Sequence, residues 1–177
     1  KQVLLPHKMS SFGPFLATGD VNNDHLDDYF VGGASGQPGS IFVQTETGFN
    51  KMTVDVLEND KLFEDAGAAF FDADQDGDMD LYVVSGGNEF SPDSEMLRDR
   101  LYINTGNGDF SNAPEDTLPI ILSSGSRVYS LDFNKDGKQD LLVLGRHVPW
   151  QYPMPASSYI LMNESEKDVP RFTDVTE

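Results

Sequence analysis

One nine-residue phrase occurs three times in this chain, and that repetition limits the folds open to it more than any other feature. Asp20-Val21-Asn22-Asn23-Asp24-His25-Leu26-Asp27-Asp28 returns as Asp72-Ala73-Asp74-Gln75-Asp76-Gly77-Asp78-Met79-Asp80 and as Asp132-Phe133-Asn134-Lys135-Asp136-Gly137-Lys138-Gln139-Asp140. The copies start at 20, 72 and 132, so they lie 52 and 60 residues apart, a period typical of repeat architectures. Each copy follows a short run of small or apolar residues (15–19, 67–71, 128–131) and precedes a β-prone one (29–31, 81–84, 141–144), which makes it a loop between two strands. A third strand candidate recurs at 40–44, 100–104 and 158–163. A fourth, with one Phe near its start, recurs at 48–52, 109–112 and 171–175. Four short strands per unit predict an all-β fold of propeller-type blades, each of four antiparallel strands. The units are 15–66, 67–126 and 127–177, after an N-terminal extension of residues 1–14. Three repeats do not close a ring, so they are expected to form part of a larger propeller. Helix should be scarce, with a single turn over 94–100, and Gly106-Asn107-Gly108 reads as a hairpin turn.

Acidic or amide side chains at loop positions 1, 3 and 5, then Asp at position 9, gather hard oxygens around one point, as a hard cation requires. Calcium suits such a set better than magnesium, because it accepts more oxygens in looser geometry. The expected ligand sets are Asp20, Asn22, Asp24 and Asp28; Asp72, Asp74, Asp76 and Asp80; and Asp132, Asn134, Asp136 and Asp140, giving up to three Ca2+ sites. Position 7 holds Leu26, Asp78 and Lys138, residues so unlike one another that only the main-chain carbonyl is expected to contribute there. Position 12 is Val31, Val83 and Val143, where an EF-hand would need a bidentate Glu. Position 6 is Gly77 and Gly137 in the later loops, as a turn with positive φ favours, but His25 in the first. The second loop carries the most carboxylates and should bind tightest; the first, strained at His25, should bind weakest.

These loops resemble the FG-GAP or VCBS repeat of integrin alpha-chain propellers and many bacterial surface proteins, with its pattern Asp-x-Asp/Asn-x-Asp-Gly-x-x-Asp-Leu between strands. The likeness covers about residues 15–176. Several phrases are similar to the ASPIC and UnbV group, which includes cartilage acidic protein: Leu4-Leu5-Pro6-His7, Phe30-Val31-Gly32-Gly33-Ala34, Ser85-Gly86-Gly87-Asn88-Glu89-Phe90 and Arg171-Phe172-Thr173-Asp174-Val175-Thr176. The resemblance implies a propeller of about seven blades when complete. It also implies calcium in the loop between the first two strands of a blade, an extracellular or cell-surface location, and a non-catalytic role in adhesion or ligand binding.

A formal charge of -18, from 30 acidic against 12 basic side chains, repels phosphate backbones and anionic headgroups, so nucleic acid and membrane insertion are not expected. The chain has no cysteine, which excludes disulfides, thiolate metal sites and thiol nucleophiles. Glu89, Asp93, Glu95 and Asp99 fall in the second long loop, but nothing in their spacing brings two of them together as glycosidase acids; an enzyme is not expected. The third long loop, 147–157, holds Trp150 and Tyr152 among prolines. Either they form a stiff aromatic surface for a protein or glycan ligand, or Trp150 plugs the neighbouring blade, and the plug is the preferred reading. The alternative function is a carbohydrate-binding part of a secreted polysaccharide-processing protein. Open blade faces at the two ends should favour self-association.

Overall fold

The computed structural model describes residues 13–176. The leading segment, including His7 and the phrase at 4–7, lies outside the described residues except for its last two. The twelve strands form three four-stranded antiparallel sheets, each a meander in chain order. Blade 1 comprises β1 (Leu16–Gly19), β2 (Asp28–Val31), β3 (Ser40–Thr45) and β4 (Gly48–Met52). Blade 2 comprises β5 (Asp65–Phe71), β6 (Asp80–Ser85), β7 (Arg100–Asn104) and β8 (Phe110–Asn112). Blade 3 comprises β9 (Gly125–Leu131), β10 (Asp140–Gly145), β11 (Tyr159–Asn163) and β12 (Phe172–Asp174). These are propeller-type blades, and the described residues form no closed barrel.

The blades stack face to face through two apolar layers. Side chains alternate across a strand, and β6 uses both sides. Leu81 and Val83 join Phe30, Ile41 and Tyr102 between blades 1 and 2, while Tyr82 and Val84 join Leu141, Val143 and Leu161 between blades 2 and 3. All six residues of β6 are therefore buried. The first strands of the blades lie side by side, with β5 between β1 and β9. Glycine permits that approach: a Cβ on Gly19 would stand 2.8 Å from the Phe70 Cβ, and one on Gly67 would stand 3.0 Å from the Arg127 Cα.

Two features depart from the sequence reading. The unit breaks after residues 66 and 126 fall inside β5 and β9, which begin at Asp65 and Gly125. Asp65 looks like a loop residue, yet it is buried as a strand residue. Its carboxylate accepts the Gly33 amide at 2.7 Å and pairs with the Arg100 guanidinium at 2.7 Å. A short helix, α1 (Asp55–Asn59), joins blades 1 and 2. It has no side-chain cap and buries only Leu57, so it leaves no periodic signal. The turn expected over 94–100 is present as a 3-10 turn, Glu95–Leu97.

Candidate metal centre

Each repeated phrase joins the first two strands of a blade, so all three loops lie at the same ends of the blades. The wrapping is the same each time. Position 1 accepts the position 6 amide: His25 to Asp20 at 2.7 Å, Gly77 to Asp72 at 3.2 Å, Gly137 to Asp132 at 3.1 Å. Position 5 accepts the position 7 amide: Leu26 to Asp24 at 2.9 Å, Asp78 to Asp76 at 2.8 Å, Lys138 to Asp136 at 2.9 Å. Position 9 is a fully buried staple. Asp28, Asp80 and Asp140 take the position 2 amide on one oxygen and the amide near the end of the third strand, from Gln44, Asn104 and Asn163, on the other. Position 6 has positive φ in every copy, 69° at His25, 98° at Gly77 and 91° at Gly137, as the sequence predicts. Position 4 is left-handed as well, at Asn23, Gln75 and Lys135. Sequence reasoning missed this, because no glycine marks the place.

Only the second loop draws three acids together among the described residues. One carboxylate oxygen from each of Asp72, Asp74 and Asp80 lies within 4.8 Å of the others, and this cluster could hold a metal ion. Burial pushes the Asp80 carboxyl up to about 7, against the pull of the Asn104 and Ala73 amides. Burial, with Asp76 and Asp72 adding their charges, raises Asp74 to about 6. These buried acids crowd one another, and a divalent cation would relieve both the crowding and the burial. Asp76 is not drawn into the cluster.

In the first and third loops position 3 is Asn22 or Asn134, whose Nδ2 donates to the position 5 carboxylate, at 3.1 and 2.9 Å. An amide oxygen is then all that position 3 can offer a cation. Asp28 is raised by burial, whereas the Lys138 amide, followed by Asn134, holds Asp136 below the usual carboxylate range. The position 7 side chains of the later loops are engaged elsewhere: Asp78 accepts Asn23 Nδ2 at 2.5 Å, and Lys138 Nζ donates to the Ser165 carbonyl at 2.7 Å. That leaves the main-chain carbonyl as what position 7 of these loops could offer a cation. Asp168, in the β11–β12 hairpin, donates its amide to the Asp74 carbonyl at 3.1 Å and adds a further acid beside the second loop.

The opposite ends of the blades carry the long loops. Trp150 is not a plug. It is 58% exposed and Tyr152 is 46% exposed. The Trp150 amide and His147 Nε2 both meet Asn88 Oδ1, at 3.0 and 3.1 Å, so Asn88 ties the third long loop to the second. The loop is braced by its own main-chain bonds, Gln151 to Val148 and Met154 to Gln151. Of the four acids in the second long loop, Asp99 is buried under the Tyr82 and Tyr159 hydroxyls and Glu89 is exposed. A cleft of about 400 Å³ lies at this end, lined by Pro14, Val31, Gly33, Gln37, Glu64 and Asp65 among others.

Blades of four antiparallel strands with an acidic loop between the first two define a propeller-type repeat protein. The model of the FG-GAP-like repeat matches residues 72–143, from the first aspartate of the second loop into β10, a span that takes in both the second and third loops. No curated protein matches the chain. FG-GAP repeats are consistent with adhesion or ligand-binding modules, are generally non-catalytic and are typically extracellular. No helix among the described residues is long and apolar enough to cross a membrane.

Proposed function

We propose that this chain is a calcium-stabilised, non-catalytic binding module that works outside the cell or at its surface. Calcium would sit at one end of the blades, and a protein or glycan ligand would meet the long loops at the other. The convergence of the Asp72, Asp74 and Asp80 carboxylates, the last two of them buried, carries this reading. Asp20, Asn22, Asp24 and Asp28, and Asp132, Asn134, Asp136 and Asp140, would hold weaker sites through the three carboxylates of positions 1, 5 and 9, the position 3 amide oxygen and a main-chain carbonyl. Calcium supplies no chemistry here beyond charge and oxygen coordination; the chain's part is to orient those oxygens.

Extracellular sites bind calcium at about 0.1–1 mM. At about ten times Kd each site adds roughly 1.4 kcal/mol by linkage, so three add about 4 kcal/mol, a large part of a domain's margin. Melting in millimolar calcium and in excess EDTA tests this: the melting temperature falls on chelation, and equal values overturn the proposal. The carbohydrate reading is favoured by one observation, the exposed Trp150 and Tyr152 on a loop anchored at Asn88, since flat aromatic faces stack on sugar rings. Glycan-array binding lost in Trp150→Ala would select it, and a protein pull-down with no glycan signal would select adhesion. The narrower likeness to the ASPIC and UnbV group belongs to this proposal, on the phrases that carry it.

A further inference from the structure

A second group of acids gathers at the long-loop end, away from the repeated loops. Glu64, from the segment between α1 and β5, and Glu89, from the loop after β6, both reach toward Gly87. Gly87 has a φ of 101°, and the Cβ it lacks would stand 2.9 Å from Glu89 Oε2 and 3.6 Å from Glu64 Oε2. The missing side chain leaves a small space faced by two carboxylates. Together with Asn88, Arg146 and His147, these residues line a cavity of about 20 Å³, room for one water-sized guest. Burial raises the Glu64 carboxyl, and the charge of Glu89 raises it further. Asp65 lines the cavity too but is paired with Arg100, and the Arg146 guanidinium offsets only part of the charge of Glu64 and Glu89. The cavity is therefore negative and fits one small ion.

His147 completes the set. It is only 5% exposed. Asn88 Oδ1 already accepts the Trp150 amide at 3.0 Å, so His147 Nε2, 3.1 Å away, must donate to it. That fixes the tautomer and leaves the lone pair on Nδ1. Nδ1 is buried and has no hydrogen-bond partner. Burial and the neighbouring Arg146 charge hold the imidazole below its usual range, which keeps this lone pair unprotonated. An unpaired buried acceptor is costly, and a bound cation would satisfy it. The donor atoms of Glu64, Glu89 and His147 stand wider apart than those of the second loop. Glu89, exposed and held by the adjacent Asn88 amide at 2.8 Å, is the ligand that closes in.

We propose that Glu64, Glu89 and His147 Nδ1 bind one zinc-like divalent ion at the roots of the long loops, separate from the calcium proposed at the other end. Imidazole nitrogen with carboxylate oxygen suits such an ion, whereas calcium takes oxygen alone. The ion would tie the α1–β5 segment to the second and third long loops and so fix the base from which Trp150 projects. Titration of zinc chloride in millimolar calcium tests it, read by calorimetry and by the emission of Trp150, the chain's one tryptophan. The wild type should take up one zinc per chain with a change in emission. His147→Gln keeps a donor for Asn88 Oδ1 but removes Nδ1, and Glu89→Gln removes one carboxylate. Each should raise the zinc half-saturation by on the order of tenfold or more, while Asp74→Asn in the second loop should leave it unchanged. Glu89 is exposed, so Glu89→Gln keeps the fold and decides the matter should His147→Gln not fold. A wild type that binds no zinc in calcium, a zinc affinity untouched by Glu89→Gln, or one lost in Asp74→Asn each overturns the proposal.

Discussion

The central blade buries acids at both ends and treats them differently. At the long-loop end Asp99 accepts bonds from the Tyr82 and Tyr159 hydroxyls and from the Ser85 amide, while nearby Asp65 is paired with Arg100. Burial still raises Asp99 to about 6, but its hydrogen-bond partners are complete, and the same burial lifts Tyr82 and Tyr159 well above the ordinary phenol range. At the other end Asp72, Asp74 and Asp80 receive only main-chain amides among the described residues, none of whose lysines or arginines is paired with them. The protein's own side chains partner Asp99 and Asp65 at one end, whereas the cluster at the other could hold a cation. Buried charge without a partner costs several kcal/mol, so the proposed calcium dependence should be greatest at the second loop.

The largest expected effect is at the staple. Asp80→Ala unpairs two buried amides and removes an oxygen of the proposed calcium site, and should cost about 3–5 kcal/mol in urea unfolding with calcium present. Asp28→Ala and Asp140→Ala remove the same amide staple. In EDTA all three alanine variants should therefore lose similar amounts, and a marked excess for Asp80→Ala in EDTA would break the equivalence of the loops. Next comes the far end. An acid that holds its proton more tightly folded than unfolded stabilises the fold below its unfolded value, and that share is lost as pH rises from about 4 to about 6. For Asp99 the loss is about 2–3 kcal/mol. Asp99→Asn should flatten the stability profile over this window by that amount, and an unchanged slope would show that Asp99 titrates normally. The smallest effect is at His25, whose φ of 69° glycine adopts freely. His25→Gly should strengthen calcium binding at the first loop by less than about 1 kcal/mol, read as a lower half-saturation in a site-resolved titration.

The blades and loops were legible because their signals are local and repeated: Val31, Val83 and Val143 mark the strands, and Gly77 and Gly137 mark the turn. The FG-GAP resemblance, drawn over about residues 15–176, was legible for the same reason, and the family model bears it out over residues 72–143. What stayed hidden depends on neighbours distant in sequence. Asp65 joins a strand because Arg100 and Gly33 satisfy it, and Asp99 is buried because two tyrosines from different blades cover it. The side-chain bonds from Asn104 and Asn163 to the Val21 and Ala73 carbonyls had a signal in the sequence, since both asparagines end a third strand at nearly the same distance from their loops, but the partner carbonyl is visible only once blades stack. Trp150 was misjudged because a large aromatic in a Pro-rich loop gives no sign of which way it faces.

Calorimetric titration of calcium into the chain and into Asp74→Asn tests the central claim most directly. The substitution gives the second loop the amide that the first and third loops already have, and should leave the apo fold intact. The account predicts a tightest step in the wild type that weakens on the order of tenfold in the variant, because ligand charge tunes calcium affinity, while the weaker steps stay in place. A tightest step unchanged by Asp74→Asn, or no calcium binding by the wild type, would contradict it.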